Sequence, residues 1–185
     1  MNAPTENGQG MLLLQIARAA IASRFGLWFD YRDDAAFLHE ERASFVTLTM
    51  SGRLRGCIGS LQAHRRLLDD VTANAQAAAF RDPRFQPLTA AEYSETAIEV
   101  SLLSALSPME VQDEQDALSQ LQPGIDGIVL QCGRNRGTFL PQVWESLPDP
   151  QRFLGELKRK AGLSPDFWSD DVRLFRYHVD KWTER

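Results

Sequence analysis

Two cysteines in 185 residues, Cys57 and Cys132, are too few to build a disulfide framework and suit a reducing cytosol. No apolar run approaches the ~20 residues that a membrane-spanning helix needs. The opening MNAPTENGQG has neither the basic region nor the apolar region of a secretory leader, so residues 1–9 read as a disordered tail. A cytoplasmic protein without membrane contact is the expectation. Phosphate loops are missing too, since neither GxGxxG nor GxxxxGK[ST] occurs. GxSxG, HExxH and CxxC are equally absent. The three histidines, His39, His64 and His178, form no zinc-like spacing with the cysteines, so neither a metal site nor a cofactor is expected.

What is present is an ordinary globular composition, 43% hydrophobic and 24% charged, enough for one domain over residues 10–183. The formal charge of −5 disfavours a protein that grips nucleic acid through its overall field. The charge is uneven, however. Residues 53–85 hold six basic side chains (Arg53, Arg55, Arg65, Arg66, Arg81, Arg84) against three acidic ones (Asp69, Asp70, Asp82). Such a segment can attract an anion or simply present solvated arginines.

Helical spacing of Leu13, Ile16, Ala17, Ala20 and Ile21 predicts an amphipathic helix over about 9–25, stopping near Gly26. Ser44–Met50 is rich in β-branched and aromatic residues, Ser51-Gly52 supplies a turn, and Arg53–Ile58 returns as the second hairpin arm. A second helix is predicted over about 65–80, with Asn74 on its apolar stripe. It is ended by the prolines of Phe80–Pro87. Thr89 and Glu92 have capping-box spacing, and Thr96–Leu103 alternates as a strand. Beyond it come a helical turn at about 113–121, a turn cluster at Pro123–Gly127 and strands at Ile128–Cys132 and Thr138–Leu140. Asp149-Pro150 opens a helix that Gly162 closes, Ser164-Pro165 opens a short one, and Val172–Val179 is a final strand. Both halves contain a hairpin followed by a helix, which hints at internal pseudo-symmetry.

The stretch GRLRGCIGS (52–60) is the strongest candidate for chemistry. Strand alternation puts Leu54 and Ile58 on a core face and points Arg55 and Cys57 together to the other. A guanidinium beside a thiol stabilises the thiolate, which makes Cys57 a candidate nucleophile. His64 or His178 could serve as its base. The competing reading is tight backbone: glycines in strands mark bulges or close approaches, and free cysteine is often buried. Asn74 is either a ligand contact or a holder of the loop after Phe80, because a buried amide without partners costs about 1–3 kcal/mol. Asp82-Pro83-Arg84 is either a rigid turn that presents Arg84 beside Arg55 as an anion site or a helix stop. Thr138, at the end of its strand, could reach a pocket or merely pack.

Four pieces, LRGCIGSL (54–61), AAAFRDPRFQPL (77–88), GIDGIVL (124–130) and TFLPQVWESLPDP (138–150), resemble the AMMECR1 family, and the resemblance runs from Leu12 to Trp182. Bacterial and archaeal members are often labelled protein A of the AmmeMemoRadiSam system. The resemblance implies an α+β fold with two pseudo-dyad-related β/α halves, forming a larger and a smaller subdomain with a cleft between them. It implies partners, a Memo-type protein and a radical SAM enzyme, and carries no assigned reaction. The family motifs fall on Arg55–Gly59 and on Asp82–Phe85, with no departure. Beside that partner role stands an enzyme or binder of a small anionic ligand using Arg55 and Cys57. Nucleic acid ranks behind both because of the acidic balance.

Overall fold

In a computed structural model of the chain, residues 6–31 and 34–184 are described. They form an α+β protein with two four-stranded antiparallel sheets and five α-helices. The chain divides into two compact units, Met1–Leu103 with Asp180–Arg185, and Ser104–Val179.

In the first unit α1 (Glu6–Ala22) starts earlier than the spacing predicts and takes in residues 6–9 of the expected disordered tail, whose residues 1–5 lie outside the described ones; a 3₁₀ turn carries the helix to Gly26. Gly26 lies at φ 72°, the left-handed conformation that ends helices. The sheet has the order β2-β1-β3-β8, from β1 (Ser44–Met50), β2 (Arg53–Gly59), β3 (Thr96–Leu103) and β8 (Val179–Thr183). Ser51 (φ 50°) and Gly52 (φ 73°) are both left-handed, the geometry of a two-residue turn whose twist matches its strands. Val46, Leu48, Ile98, Val100 and Leu102 join Leu13, Ile16 and Ile21 of α1 and Val71 and Ala75 of α2 (Leu67–Phe80) in one core. Small residues let α2 sit close to the sheet. A Cβ built on Gly56 would lie 2.2 Å from the Ala78 carbonyl oxygen, which leaves no room for any side chain there. The short α3 (Ala90–Glu95) carries the predicted Thr89–Glu92 capping box.

One register detail corrects the sequence reading. Leu48 pairs with Gly56, but Thr49 pairs with Leu54, so Arg55 is the extra residue of a β-bulge. A one-residue slip reverses which face each following side chain takes. Leu54 is therefore 45% exposed rather than buried in the core, while Ile58, on the other side of the bulge, packs against the core as expected.

The second unit has the sheet order β4-β7-β5-β6, from β4 (Ser107–Pro108), β5 (Gly127–Cys132), β6 (Asn135–Phe139) and β7 (Arg173–Tyr177). Its helices are α4 (Glu114–Gln120) and α5 (Pro150–Lys160). Asp149 caps α5, accepting from the Arg152 N–H at 2.8 Å. Phe153 of α5 stacks flat on Trp144, ring centroids 3.7 Å apart, at the centre of this core. Three sequence expectations shift here. The strand foreseen at Thr138–Leu140 starts at Asn135, because Gly133 (φ 57°) allows a tighter turn than a five-residue loop. Ser164-Pro165 forms a turn closed by the Phe167 N–H on the Ser164 carbonyl, not a helix. Val172–Val179 is broken at His178, so β7 and β8 belong to different sheets.

Candidate functional site

β2 is an outer strand of its sheet, so alternate N–H and C=O groups along it have no neighbouring strand to meet. The loop after α2 meets them instead. Asp82 is buried, and its Oδ2 accepts the Cys57 N–H at 2.9 Å. Arg84 Nη2 donates to the Cys57 carbonyl at 3.2 Å and to Asp82 Oδ2 at 2.7 Å. One carboxylate and one guanidinium thus stand in for a paired strand residue. The Arg84 hydrogen bond holds the Asp82 carboxyl well below the usual carboxylate range, overcoming the opposing effect of burial. The same pair raises Arg84.

The bulge aims Arg55 at a different set of partners. Its Nε and Nη2 each lie 3.1 Å from a Glu92 carboxylate oxygen, and Nη2 also donates to the Gln86 carbonyl at 2.9 Å. The Arg55 hydrogen bond, with help from the Thr89 N–H and hydroxyl, lowers Glu92 to about 2. The Phe85 ring lies within cation–π distance of both guanidinium groups, 5.9 Å from Arg55 and 5.5 Å from Arg84. Both arginines of the candidate anion site are thus already neutralised by a carboxylate. Arg65 and Arg66 pair likewise with Asp70 and Asp69. Four of the six basic residues in 53–85 are consequently held in ion pairs.

Cys57 itself is half-buried, and its sulfur accepts a hydrogen bond from the Thr47 hydroxyl at 3.4 Å. Thr47 lies opposite Cys57 on β2 and opposite Glu99 on β3. Glu99 in turn accepts from the Thr183 hydroxyl of β8 at 3.2 Å. A thiol, a hydroxyl, a carboxylate and a second hydroxyl therefore cross all four strands on the face turned away from α1 and α2. The sequence shows each as a polar position on a strand, but only the pairing register aligns them. His64 bonds the Gln62 carbonyl through its ring, and the sulfur's hydrogen bond comes from Thr47 rather than from a histidine.

Asn74 is buried and fully engaged, though not with the loop after Phe80. Its Nδ2 donates to the Ser44 carbonyl at 3.0 Å and to Asp70 at 2.9 Å, and its Oδ1 faces Arg65. Asp70, wholly buried, also accepts from the Ser44 N–H, from the Ser44 and Ser60 hydroxyls and from Arg65. This network, which sequence reasoning missed apart from Asn74, ties both open ends of the β1–β2 hairpin to the first turns of α2. Thr138 belongs to the second unit, where its hydroxyl meets the Tyr177 hydroxyl at 3.1 Å. Burial raises the Tyr177 phenol above its ordinary value. Among the described residues no three His, Cys, Asp or Glu side chains converge as a metal site. Among the same residues no helix is long and apolar enough to cross a membrane.

The family model for AMMECR1 matches residues 14–182, which takes in both hairpins and every residue of the candidate site except Thr183. The chain belongs to the AMMECR1 family. A Methanothermobacter thermautotrophicus protein is 36% identical over 191 residues, spanning 98% of this chain and 97% of that one. A Saccharolobus islandicus protein is 39% identical over 183 residues, 93% of this chain and 80% of its own. The fold is similar to a crystal structure of an uncharacterized protein from Pyrococcus horikoshii, at a TM-score of 0.74 and 31% identity over 95% of this chain and 91% of that one. In this AMMECR1-family chain, then, the segments LRGCIGSL and FRDPRF are one structural device: the second segment covers the edge of the first.

Proposed function

We propose that Cys57, with the polar row of Thr47, Glu99 and Thr183, is the working surface of this AMMECR1-domain protein. On this reading the protein presents that surface to partner proteins of the Memo type and the radical SAM class, the neighbours that the family resemblance implies. The supporting observation is the double hold on the Cys57 backbone by Asp82 and Arg84. It leaves the half-exposed thiol rigid without any ligand, as a contact surface requires. Chemical crosslinking of the chain with the Memo-type and radical SAM proteins of the same cell tests this directly. Association that weakens on Glu99→Gln or Cys57→Ser is expected, and no association at cellular concentrations overturns the reading.

A second reading, a thiol enzyme or small-anion binder, draws on Arg84, whose side chain is 53% exposed although paired. An anion at Arg84 would have to compete with Asp82 for the guanidinium, and Arg55 is already held by Glu92. Its test is alkylation with iodoacetamide near neutral pH. Rapid modification of Cys57 in the native protein, slowed by an anionic metabolite, is the expected outcome. A thiol inert until denaturation removes the reading. Asn74 and Thr138, both bound within the fold, serve as supports in either case.

A further inference from the structure

The sheet of the first unit has two outer strands, and they are treated differently. β2 is closed by Asp82 and Arg84, whereas on β8 no described strand pairs with the outer side. Instead, Lys181–Glu184 line a groove of about 1240 Å³ whose described lining lies wholly within the first unit. Its apolar wall comes from Met11 and Leu14 of α1, from Phe29 and from Trp182. Beside it the chain runs Leu27-Trp28-Phe29 through solvent, with Trp28 90% exposed and Met11 64% exposed. Consecutive large apolar side chains left in water mark an interaction surface rather than ordinary scatter. Charge narrows the partner. Three carboxylates (Asp30, Glu95, Glu184) face two cations (Arg18, Lys181) in the groove. Arg18 is already paired with Glu184 and donates to the carbonyls of Tyr93 and Thr96. Asp30 and Glu95 are left with Lys181 as the one other cation of the lining.

We infer that the outer edge of β8 accepts an extended segment of a partner protein as a fifth strand. The segment is apolar at alternate positions, which fill the Met11–Phe29 wall, and carries lysine or arginine toward Asp30 and Glu95. Strand addition draws affinity from main-chain hydrogen bonds and specificity from side chains on alternate residues. This surface shares only Thr183 with the Cys57 row and stands whether or not that row is the working one.

The test uses the full chain and a fluorescein-labelled nine-residue peptide of alternating valine and lysine, followed by anisotropy. Binding with a dissociation constant on the order of 100 μM is expected. N-methylation of one alternate set of peptide nitrogens weakens binding about tenfold and methylation of the other set leaves it unchanged, because an edge strand uses every second N–H. Phe29→Asp and Met11→Asp, both at exposed positions and so compatible with folding, weaken binding by a similar factor, as does replacing the peptide's lysines with glutamate. Equal effects of the two methylation sets, an unchanged Phe29→Asp variant, or no binding at millimolar peptide each overturn the proposal. So does sedimentation showing a dimer that Met11→Asp dissociates, since the occupant of the edge would then be a second copy of the chain.

Discussion

The two units use one backbone device with different side chains. In each, the second arm of a hairpin carries a glycine against the backbone of the following helix. Gly56 faces Ala78 of α2, and Gly137 faces Leu157 and Ala161 at the end of α5. In each, the next residue has its carbonyl bound by a cation: Arg84 on Cys57, and Lys160 on Thr138 at 2.8 Å. The difference lies in what the device holds. In the second unit the side chain after the glycine is a hydroxyl bonded to buried Tyr177. In the first it is a half-exposed thiol, and the cation carries its own carboxylate, Asp82, which also takes the N–H. The shared scaffold thus closes on a part-buried polar contact in one unit and on a half-buried thiol in the other.

The sharpest way to break the parallel is to fill the two glycines. Gly56→Ala places a methyl 2.2 Å from a main-chain oxygen, whereas at Gly137 the nearest atoms stand at 3.1 Å. Overpacking of this kind costs about 3 kcal/mol or more at Gly56 and about 1 kcal/mol at Gly137, read from urea unfolding midpoints. Next in size is Asp82→Ala. Leaving the Cys57 N–H and Arg84 without their partner costs about 2–3 kcal/mol and speeds amide exchange at Cys57. Lys160→Ala removes an exposed hydrogen bond to Thr138 and a cation–π contact with Phe139 and costs about 1 kcal/mol.

Acid distinguishes the copies next. Asp82 and Glu92 are both held below their ordinary values, so each favours the folded state while ionised. That contribution is complete above the unfolded carboxylate range near about 4 and is lost as pH falls from there toward 2. Protection from amide exchange in the β1–β2 hairpin, taken relative to the intrinsic rate at each pH, should therefore fall on acidification before that in β5–β6, whose Lys160 clamp contains no carboxylate, and Glu92→Gln should flatten the response. The smallest effect belongs to Leu54→Ser, within about 0.5 kcal/mol of wild type by thermal unfolding, since the bulge has already put that side chain in water.

That last contrast shows where the sequence stops being legible. The hairpin, its Ser51-Gly52 turn, the Thr89 capping box and the Asp149-Pro150 helix start are local chemistry, and the chain states them openly. The bulge at Arg55 is not local: it is set by how Leu48 and Thr49 pair across the turn and by Glu92, 37 residues along the chain, receiving the guanidinium. Alternation alone therefore assigned Leu54 to the wrong face. Cys57, Arg55, Asp82 and Arg84 were legible as a group, because glycine, proline and charge concentrate there. Their roles toward one another were not, because a carboxylate that caps a strand edge looks in sequence like any other Asp-Pro turn. Thr47, Glu99 and Thr183 become a row only once three strands are in register. The break between β7 and β8 is hidden by the continuous strand-like run from Val172 to Val179.

Arg18 and Glu184 meet across 166 residues of chain, and between them lies the whole of the second unit. On a ribosome, that ordering has a consequence. Residues 104–179 emerge as one uninterrupted stretch and can close their own core while the first unit still lacks its β8 strand. The first unit has to wait, with the β3 side of its sheet uncovered, until residues 180–184 arrive to complete it. The earlier-made part of the protein is thus the later to be finished, and its period of exposure lasts as long as translation of the inserted unit.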